Sequence, residues 1–206
     1  FTVQSTWPPT VTRDLNNYTG REEYSGYVGS DDYYKFYVDS PGYLQFALRG
    51  MSADADLQLL NSSGQVLESS SKSGNNDEYG NKNLGIGTYY MRVYGHNGAE
   101  TNYRLILNLD KAGDSINNAR PLGELAGQRK EYEDFIGTQS ADQYDYYKFT
   151  LREPRFLEYA LRGLTASADI DILNSSGARI TPKENDKDNH PYDLHETMGL
   201  QAGTYY

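Results

Sequence analysis

The sequence predicts an all-β protein made of two tandem β-sandwich domains of jelly-roll-like type, the second of which lacks its last strands in this chain. Three observations lead to this fold class: the composition, an internal duplication and a series of short alternating segments. Tyrosine and glycine each occur 20 times among the 206 residues. Tyrosine is typical of pleated, half-buried surfaces, and glycine is typical of the tight turns that join strands. The length suits two domains of roughly 100 residues each.

The duplication is visible as a repeated motif. Asp-Tyr-Tyr-Lys-Phe at Asp32–Phe36 returns at Asp145–Phe149, a shift of 113 residues. The same shift also relates the two Leu-Asn-Ser-Ser-Gly strings that begin at Leu60 and Leu173. A repeat of this length indicates a duplicated domain and not a solenoid unit. We therefore expect an N-terminal strand and extension at 1–13, a first sandwich at 14–109 and a truncated second sandwich at 110–206.

Short segments bounded by turn residues mark the strands of the first copy. They are expected near 24–28, 33–38, 43–49, 56–60, 65–69, 79–84, 88–94 and 102–108. In the third of these, Leu44, Phe46 and Leu48 alternate with more polar residues, so their shared face should belong to the core. Asn61–Gly64 should form a four-residue hairpin turn, with Gly64 supplying a positive φ.

The second copy stops at Tyr206, before any counterpart of the first copy's strand at 102–108. A sandwich without a terminal strand presents unpaired backbone groups at an edge. Phe1–Gln4 is interpreted as a strand, similar to the closing strand of a preceding repeat. Three outcomes stay open: this strand completes the second copy, another chain completes it through strand-swapped self-association, or the edge stays open.

Charge and composition exclude several function classes. The net charge of −10 repels phosphate backbones and anionic lipid, so nucleic acid is not an expected partner. A membrane is not expected either, because no apolar run approaches the roughly 20 residues of a spanning helix. The three histidines lack zincin spacing and no Gly-x-Ser-x-Gly elbow is present, so the chain is not expected to be an enzyme.

Both copies carry a motif series: Asp-Tyr-Tyr-x-Phe, then alanine and aspartate before a leucine strand, then Gly-Thr-Tyr-Tyr. This series resembles the bacterial pre-peptidase C-terminal domain, which is related to the collagen-binding domains of clostridial collagenases. The resemblance implies a jelly-roll-type sandwich that accompanies secreted enzymes and in some members binds polymers. A secreted or cell-surface location follows from the same resemblance.

Calcium is the cofactor that the resemblance implies. In the related domains the ion is held by an acidic segment at the start of the domain, the motif aspartate and an aspartate three residues before it. The matching residues of the second copy are Asp114, Asp142 and Asp145. Asp110 and Asn117 of the same entry segment also carry suitable oxygen ligands. In the first copy Gly29 replaces the aspartate three residues before the motif, which leaves Asp31 and Asp32 as a weaker set. Carboxylates from two segments suit a cation that takes six to eight oxygen ligands, although acidic residues also start turns and solvate loops.

The function predicted from these observations is a non-catalytic accessory or binding module of a secreted bacterial protein. It would act beside the remainder of its parent polypeptide and contact an extracellular protein or polysaccharide polymer. Tyrosine suits such contacts because its ring is large and rigid and its tip is polar. The candidate ligand-binding residues are Tyr33, Tyr43, Tyr90, Tyr94, Tyr146 and Tyr206. The alternative is a structural spacer, maturation or assembly segment of an exported enzyme with no ligand of its own.

Overall fold

A computed structural model describes residues 7–134, 136, 143–182 and 194–206 of the chain, and it confirms the all-β prediction. Two units are present: unit 1 comprises Phe1–Lys111 and Tyr132–Gly137, and unit 2 comprises Ala112–Glu131 and Thr138–Tyr206. The strands of unit 1 are β1 (Arg13–Asn17), β2 (Gly20–Val28), β3 (Asp32–Val38), β4 (Gly42–Arg49), β5 (Ala55–Asn61), β6 (Val66–Ser70), β7 (Glu78–Leu84), β8 (Gly87–Gly95) and β9 (Thr101–Asp110). Those of unit 2 are β10 (Arg120–Glu124), β11 (Tyr147–Leu151), β12 (Arg155–Leu161), β13 (Leu194–Leu200) and β14 (Gly203–Tyr205). Short 3-10 turns occupy His96–Gly98 and Ile116–Asn118.

Unit 1 consists of two sheets that enclose one hydrophobic core. One sheet has five strands in the order β1-β3-β8-β5-β6, and the other has four in the order β2-β9-β4-β7. The core cluster combines apolar residues of both sheets, among them Phe36 and Leu57 from the first and Leu48 and Leu107 from the second. All four are fully buried. The sandwich thus arises because alternate residues of each strand point to one face, and that face is apolar.

The eight strands expected in the first copy are all present, with ends that differ by a few residues. Leu44, Phe46 and Leu48 do share the core face. The strand β1 was not predicted. Its sequence Arg-Asp-Leu-Asn-Asn has no apolar alternation, and it forms instead by parallel pairing with β3.

The Asn-Ser-Ser-Gly strings form the predicted hairpin turns in both units. The Asn61 side-chain Oδ1 accepts hydrogen bonds from the backbone N–H groups of Ser63 and Gln65, each at 3.0 Å. Gly64 follows with φ of 84°. Asn174 repeats the same pattern in unit 2. One side chain therefore satisfies two donors that the tight turn leaves unpaired.

Unit 2 repeats part of this arrangement. The strand order β10-β11-β14 corresponds to β1-β3-β8, including the parallel pairing of the first two strands. Among the described residues β12 pairs with β13 alone, whereas β4 lies between β7 and β9 in unit 1. The described part of unit 2 thus has no counterpart of β9. The strand expected at Phe1–Gln4 lies outside the described residues.

No helix among the described residues is both long enough and apolar enough to cross a lipid bilayer.

Candidate functional site

Three of the predicted tyrosines lie on the outward face of the five-stranded sheet in unit 1. Tyr33 belongs to β3, and Tyr90 and Tyr94 belong to β8. Their neighbours Tyr34 and Met91 are core residues, so alternation directs the three predicted tyrosines away from the core. We call this outward side of β3, β5 and β8 the tyrosine face. Its residues are Tyr33, Lys35, Tyr37, Gln58, Leu60, Tyr90, Arg92 and Tyr94.

Arg92 organises the centre of the tyrosine face. Cross-strand pairing places it opposite Tyr33 on one side and Gln58 on the other. Its Nη1 donates to Gln58 Oε1 at 2.8 Å, and its Nε and Nη2 donate to Asp31 Oδ2 at 2.8 and 2.6 Å. The guanidinium carbon lies 4.3 Å from the centroid of the Tyr94 ring, which is cation–π geometry. Arg92 is therefore held in one position while its side chain stays 27% exposed.

Trp7 covers one end of the same face. Its ring packs edge-on against Tyr90 with centroids 4.9 Å apart, and its Nε1 donates to the carbonyl of Ser62 at 2.6 Å. Tyr90 is consequently only 6% exposed. Trp7 was not predicted as a site residue because nothing in the sequence links it to a strand that begins 80 residues later.

Tyr37 was also missed, although a sequence signal for it exists. It lies four residues after Tyr33 on β3, and the period of two along a strand assigns both to one face. It is 42% exposed, more than any predicted tyrosine of this face. Burial raises the pKa of Tyr33, and burial followed by the charge of Asp56 raises that of Tyr94, so both hydroxyls keep their protons to a higher pH than a free phenol.

The other predicted tyrosines lie elsewhere. Tyr43 is on β4, on the outward side of the four-stranded sheet, half-buried opposite Asn83. Tyr146 and Tyr206 belong to unit 2, where the Lys148 ammonium lies 5.7 Å from the centroid of the Tyr206 ring. In unit 1 the counterpart of Lys148 at the 113-residue shift is Lys35, and the counterpart of Tyr206 in the Gly-Thr-Tyr-Tyr motif is Tyr90. These two residues are a cross-strand pair. Both units thus place a lysine beside a tyrosine at this position.

The two aspartates of the weaker calcium set are engaged with other side chains. Asp31 is ion-paired with Arg92. Asp32 accepts hydrogen bonds from the Tyr103 hydroxyl at 2.6 Å and from Thr12 Oγ1 at 3.1 Å. Asp32 therefore anchors the start of β3 to β9 and to the segment before β1.

At the end of β9 unit 1 brings two acidic groups together. Asp110, a predicted ligand, is 6% exposed. One of its carboxylate oxygens lies within 4.8 Å of a carboxylate oxygen of Asp134. Asp134 Oδ1 accepts the backbone N–H of Lys111 at 3.1 Å, and the Lys111 ammonium is 2.7 Å from Asp39 Oδ1. Asp134 was not predicted because it follows Asp110 by 24 residues and belongs to no strand.

The remaining predicted calcium ligands belong to unit 2. Asp114 and Asn117 are exposed, and Asp145 is half-buried just before β11. Asp142 lies outside the described residues. The calcium prediction for the second copy therefore stays a prediction.

Comparison with known proteins bears on unit 1 most directly. Residues 30–95 match the family model described as the bacterial pre-peptidase C-terminal domain. This match confirms the resemblance inferred from the motifs for that segment, which contains β3 to β8. No curated protein matches the chain.

Solved structures with a similar fold include three from bacteria. The pre-peptidase C-terminal domain of a collagenase from Bacillus anthracis is 19% identical over 47% of this chain and 93% of its own, with a TM-score of 0.40. PliG from Aeromonas hydrophila, a periplasmic inhibitor of g-type lysozyme, is 12% identical over 48% of this chain and 96% of its own, with a TM-score of 0.36. PliG from Salmonella Typhimurium is 19% identical over 48% of this chain and 99% of its own, with a TM-score of 0.34.

Proposed function

Starting from the match of residues 30–95 to the bacterial pre-peptidase C-terminal domain family, we propose that the chain is a binding segment of a secreted bacterial protein. Domains of this family are non-catalytic parts of secreted proteins. In this chain, unit 1 binds an extracellular protein or polysaccharide polymer through the tyrosine face. The remainder of the parent polypeptide supplies any catalytic activity.

The observation that carries the proposal is that three aromatic rings and Arg92 share one outward face. Tyr33, Tyr37 and Tyr94 share one face of three adjacent strands with this arginine. Aromatic residues and arginine are the side chains most enriched at binding hot spots, because they combine large area with directed hydrogen bonding. A flat, repeated ligand such as a polymer chain can lie along strands that present rings at regular intervals.

Co-sedimentation with insoluble polymers tests this proposal. Fibrillar collagen and crystalline cellulose represent the two polymer classes, and the bound fraction is measured against protein concentration. Replacing Tyr33 and Tyr37 together by alanine is expected to weaken binding at least about tenfold, since loss of a central aromatic contact costs about 2 kcal/mol. Tyr27→Ala is the matched control, because Tyr27 is 54% exposed on β2 of the other sheet.

Two results would count against the polymer proposal. Equal weakening by Tyr27→Ala would mean that exposed tyrosines act nonspecifically, and failure to sediment with either polymer would leave no ligand for the face. The structural alternative, a spacer or maturation segment, is favoured by the internal contacts of Arg92 and by the burial of Tyr90 under Trp7. Under that alternative Arg92→Gln lowers the free energy of unfolding, and the unaltered chain binds neither polymer.

We also propose that calcium binds at the end of β9. Support comes from the two carboxylates of Asp110 and Asp134, which have oxygens within 4.8 Å, and from the preference of calcium for several oxygens of separate segments. A ligand bound only by the folded state raises stability, by about 2.7 kcal/mol at one hundred times its Kd.

Thermal unfolding in calcium and in chelator tests this second proposal. Calcium should raise the Tm of the unaltered chain, and Asp134→Asn should remove most of the increase. Glu68→Gln is the control, because Glu68 is a half-exposed carboxylate on β6 that belongs to neither proposed calcium set. Asp145→Asn tests the second-copy set in the same experiment. An unchanged Tm at millimolar calcium would contradict both calcium assignments.

A further inference from the structure

Two carboxylates at the start of β5 lie in an unusual environment within unit 1. Asp56 is 1% exposed, and its Oδ1 is buried without a hydrogen-bond partner. Oδ1 of Asp54, two residues earlier, is also buried without one. Leaving a buried polar atom unpaired costs about 1–3 kcal/mol, and more when the group is charged. Two such oxygens so close together in the chain call for a positively charged ligand.

Electrostatics at Asp56 agree with this interpretation. Burial and then the neighbouring charge of Asp54 raise the pKa of Asp56, which means that the carboxylate form is disfavoured there. The Tyr94 hydroxyl lowers the pKa of Asp56 and so partly offsets this effect. A bound cation would remove the remaining cost by balancing both negative charges.

His96 lies at the same place and is accessible from solvent. The turn after β8 returns the chain so that the His96 backbone N–H donates to the Asp54 carbonyl at 3.0 Å. The ring Nδ1 is 3.7 Å from Asp56 Oδ2, and the side chain is 53% exposed. The imidazole is therefore open to solvent beside the buried carboxylate of Asp56.

The spacing of two of the three groups suits a small divalent ion. Two ligands at about 2.0–2.1 Å from a tetrahedral zinc ion are roughly 3.4 Å apart. The observed 3.7 Å between Nδ1 of His96 and Oδ2 of Asp56 requires only a small closure, whereas the Asp54 carboxylate would have to approach these two atoms on binding. A set of one imidazole and two carboxylates fits zinc better than calcium, which takes oxygen ligands.

We propose that Asp54, Asp56 and His96 form a binding site for a divalent cation of the zinc class on unit 1. The ion would join the start of β5 to the turn after β8. It would lie next to Tyr94 and so hold one end of the tyrosine face in place. The site is independent of the calcium proposal, since the two share no residue.

The duplicated copy offers a natural comparison. At the 113-residue shift, Asp56 corresponds to Asp169 and Asp54 to Ser167. Asp169 is exposed, unlike its counterpart. The combination of two carboxylates and an imidazole is thus a feature of unit 1, and Asp54→Ser introduces the residue that the second copy carries.

Calorimetric titration with zinc tests the proposal, in a His190→Gln/His195→Gln background that removes the other two imidazoles. We expect one saturable site and a Tm that rises with zinc. His96→Gln and Asp54→Ser should each weaken zinc binding at least tenfold, while Asp134→Asn and calcium should have no effect on it. His96→Gln changes a half-exposed side chain, so it remains informative if a substitution of the buried Asp56 prevents folding.

Three results would overturn the proposal. The first is the absence of saturable zinc binding up to millimolar concentration. The second is binding that His96→Gln leaves unchanged. The third is an Asp56→Asn variant that is more stable than the parent in chelator while zinc has no effect on the parent, because the buried carboxyl group would then need a proton and not a metal ion.

Discussion

Tyr103 connects β9 to β3 through its hydroxyl group. It donates to Asp32 at 2.6 Å and lies 2.7 Å from the Tyr34 hydroxyl, which then acts as the donor to Tyr103. Burial, together with the bond to Asp32, raises the pKa of Tyr103 far above its ordinary value of 10.0. The pKa values of Tyr18 and Tyr24 are raised as well, mainly by burial. The folded state therefore keeps all three phenols protonated.

Alkaline pH should destabilise the fold for this reason. Above pH of about 10 the unfolded chain releases phenolic protons that the folded chain retains, so the free energy of unfolding falls as pH rises. Tyr103→Phe should lower stability at pH 7 by about 1–3 kcal/mol and make the alkaline decline shallower. Urea unfolding between pH 7 and 11 measures both effects. An alkaline slope as steep as that of the parent would contradict the assignment.

Asn61 is the residue on which the β5–β6 turn depends. Asn61→Ala removes the acceptor for the N–H groups of Ser63 and Gln65, and it should cost about 1–2 kcal/mol in chemical unfolding. Ser62→Ala is the control, since the Trp7 indole bonds the Ser62 backbone carbonyl and not its side chain. A loss of the same size in the control would mean that any substitution in this turn destabilises it, and that the effect does not come from the Asn61 acceptor.

At the scale of elements, aromatic rings lie over glycines on neighbouring strands. Phe46 of β4 is paired with Gly80 of β7, and Tyr103 of β9 is paired with Gly26 of β2. A Cβ at either glycine would collide with the facing ring. The ring thus fills the space that the missing side chain leaves and fixes the register of the two strands.

Gly80→Ala should therefore destabilise unit 1 by about 1–3 kcal/mol, the usual cost of overpacking. Gly85→Ala is the matched control, because a Cβ there meets nothing within 4 Å. Thermal unfolding of the two variants gives the comparison. Equal Tm values would show that the Phe46 ring moves aside without cost.

The sequence was sufficient to predict eight of the nine described strands of unit 1, all but β1, but not all of its site. Alternation located β3, β4 and β8 because their apolar residues recur with period two. The same rule could have identified Tyr37. It could not show that Tyr43 lies on the other sheet, because that depends on which strands become neighbours. Trp7, Asp134 and the partner of Asp31 depend on contacts between distant segments, which the order of residues does not encode locally.

Across the whole molecule the two units differ in how completely their described cores are buried. Leu44, Leu48 and Leu105 of unit 1 are fully buried, whereas Phe149, Leu151 and Tyr205 of unit 2 keep 5–8% exposure. Local stability follows the burial of apolar contacts and the pairing of strands on both sides. The backbone of β4 is paired on both sides, and that of β12 on one side among the described residues.

Hydrogen exchange should reflect this difference. Amides of β4 are expected to exchange at least about tenfold more slowly than those of β12, and the gap should persist at every pH at which both units are folded. Equal protection would indicate that the open side of β12 is covered. Strand-swapped self-association would provide such a cover, and it would appear as protection of β12 that increases with protein concentration, together with a rise in mass in sedimentation analysis.

The position of Trp7 gives the molecule an optical probe of its own. It is the only tryptophan in the chain, and it lies in unit 1 against Tyr90. Indole emission therefore reports on this unit alone, whereas circular dichroism reports on both. Excitation of the indole in the unlabelled protein would distinguish the unfolding of unit 1 from that of unit 2. It would also reveal any ligand that comes to lie beside the Tyr90 ring.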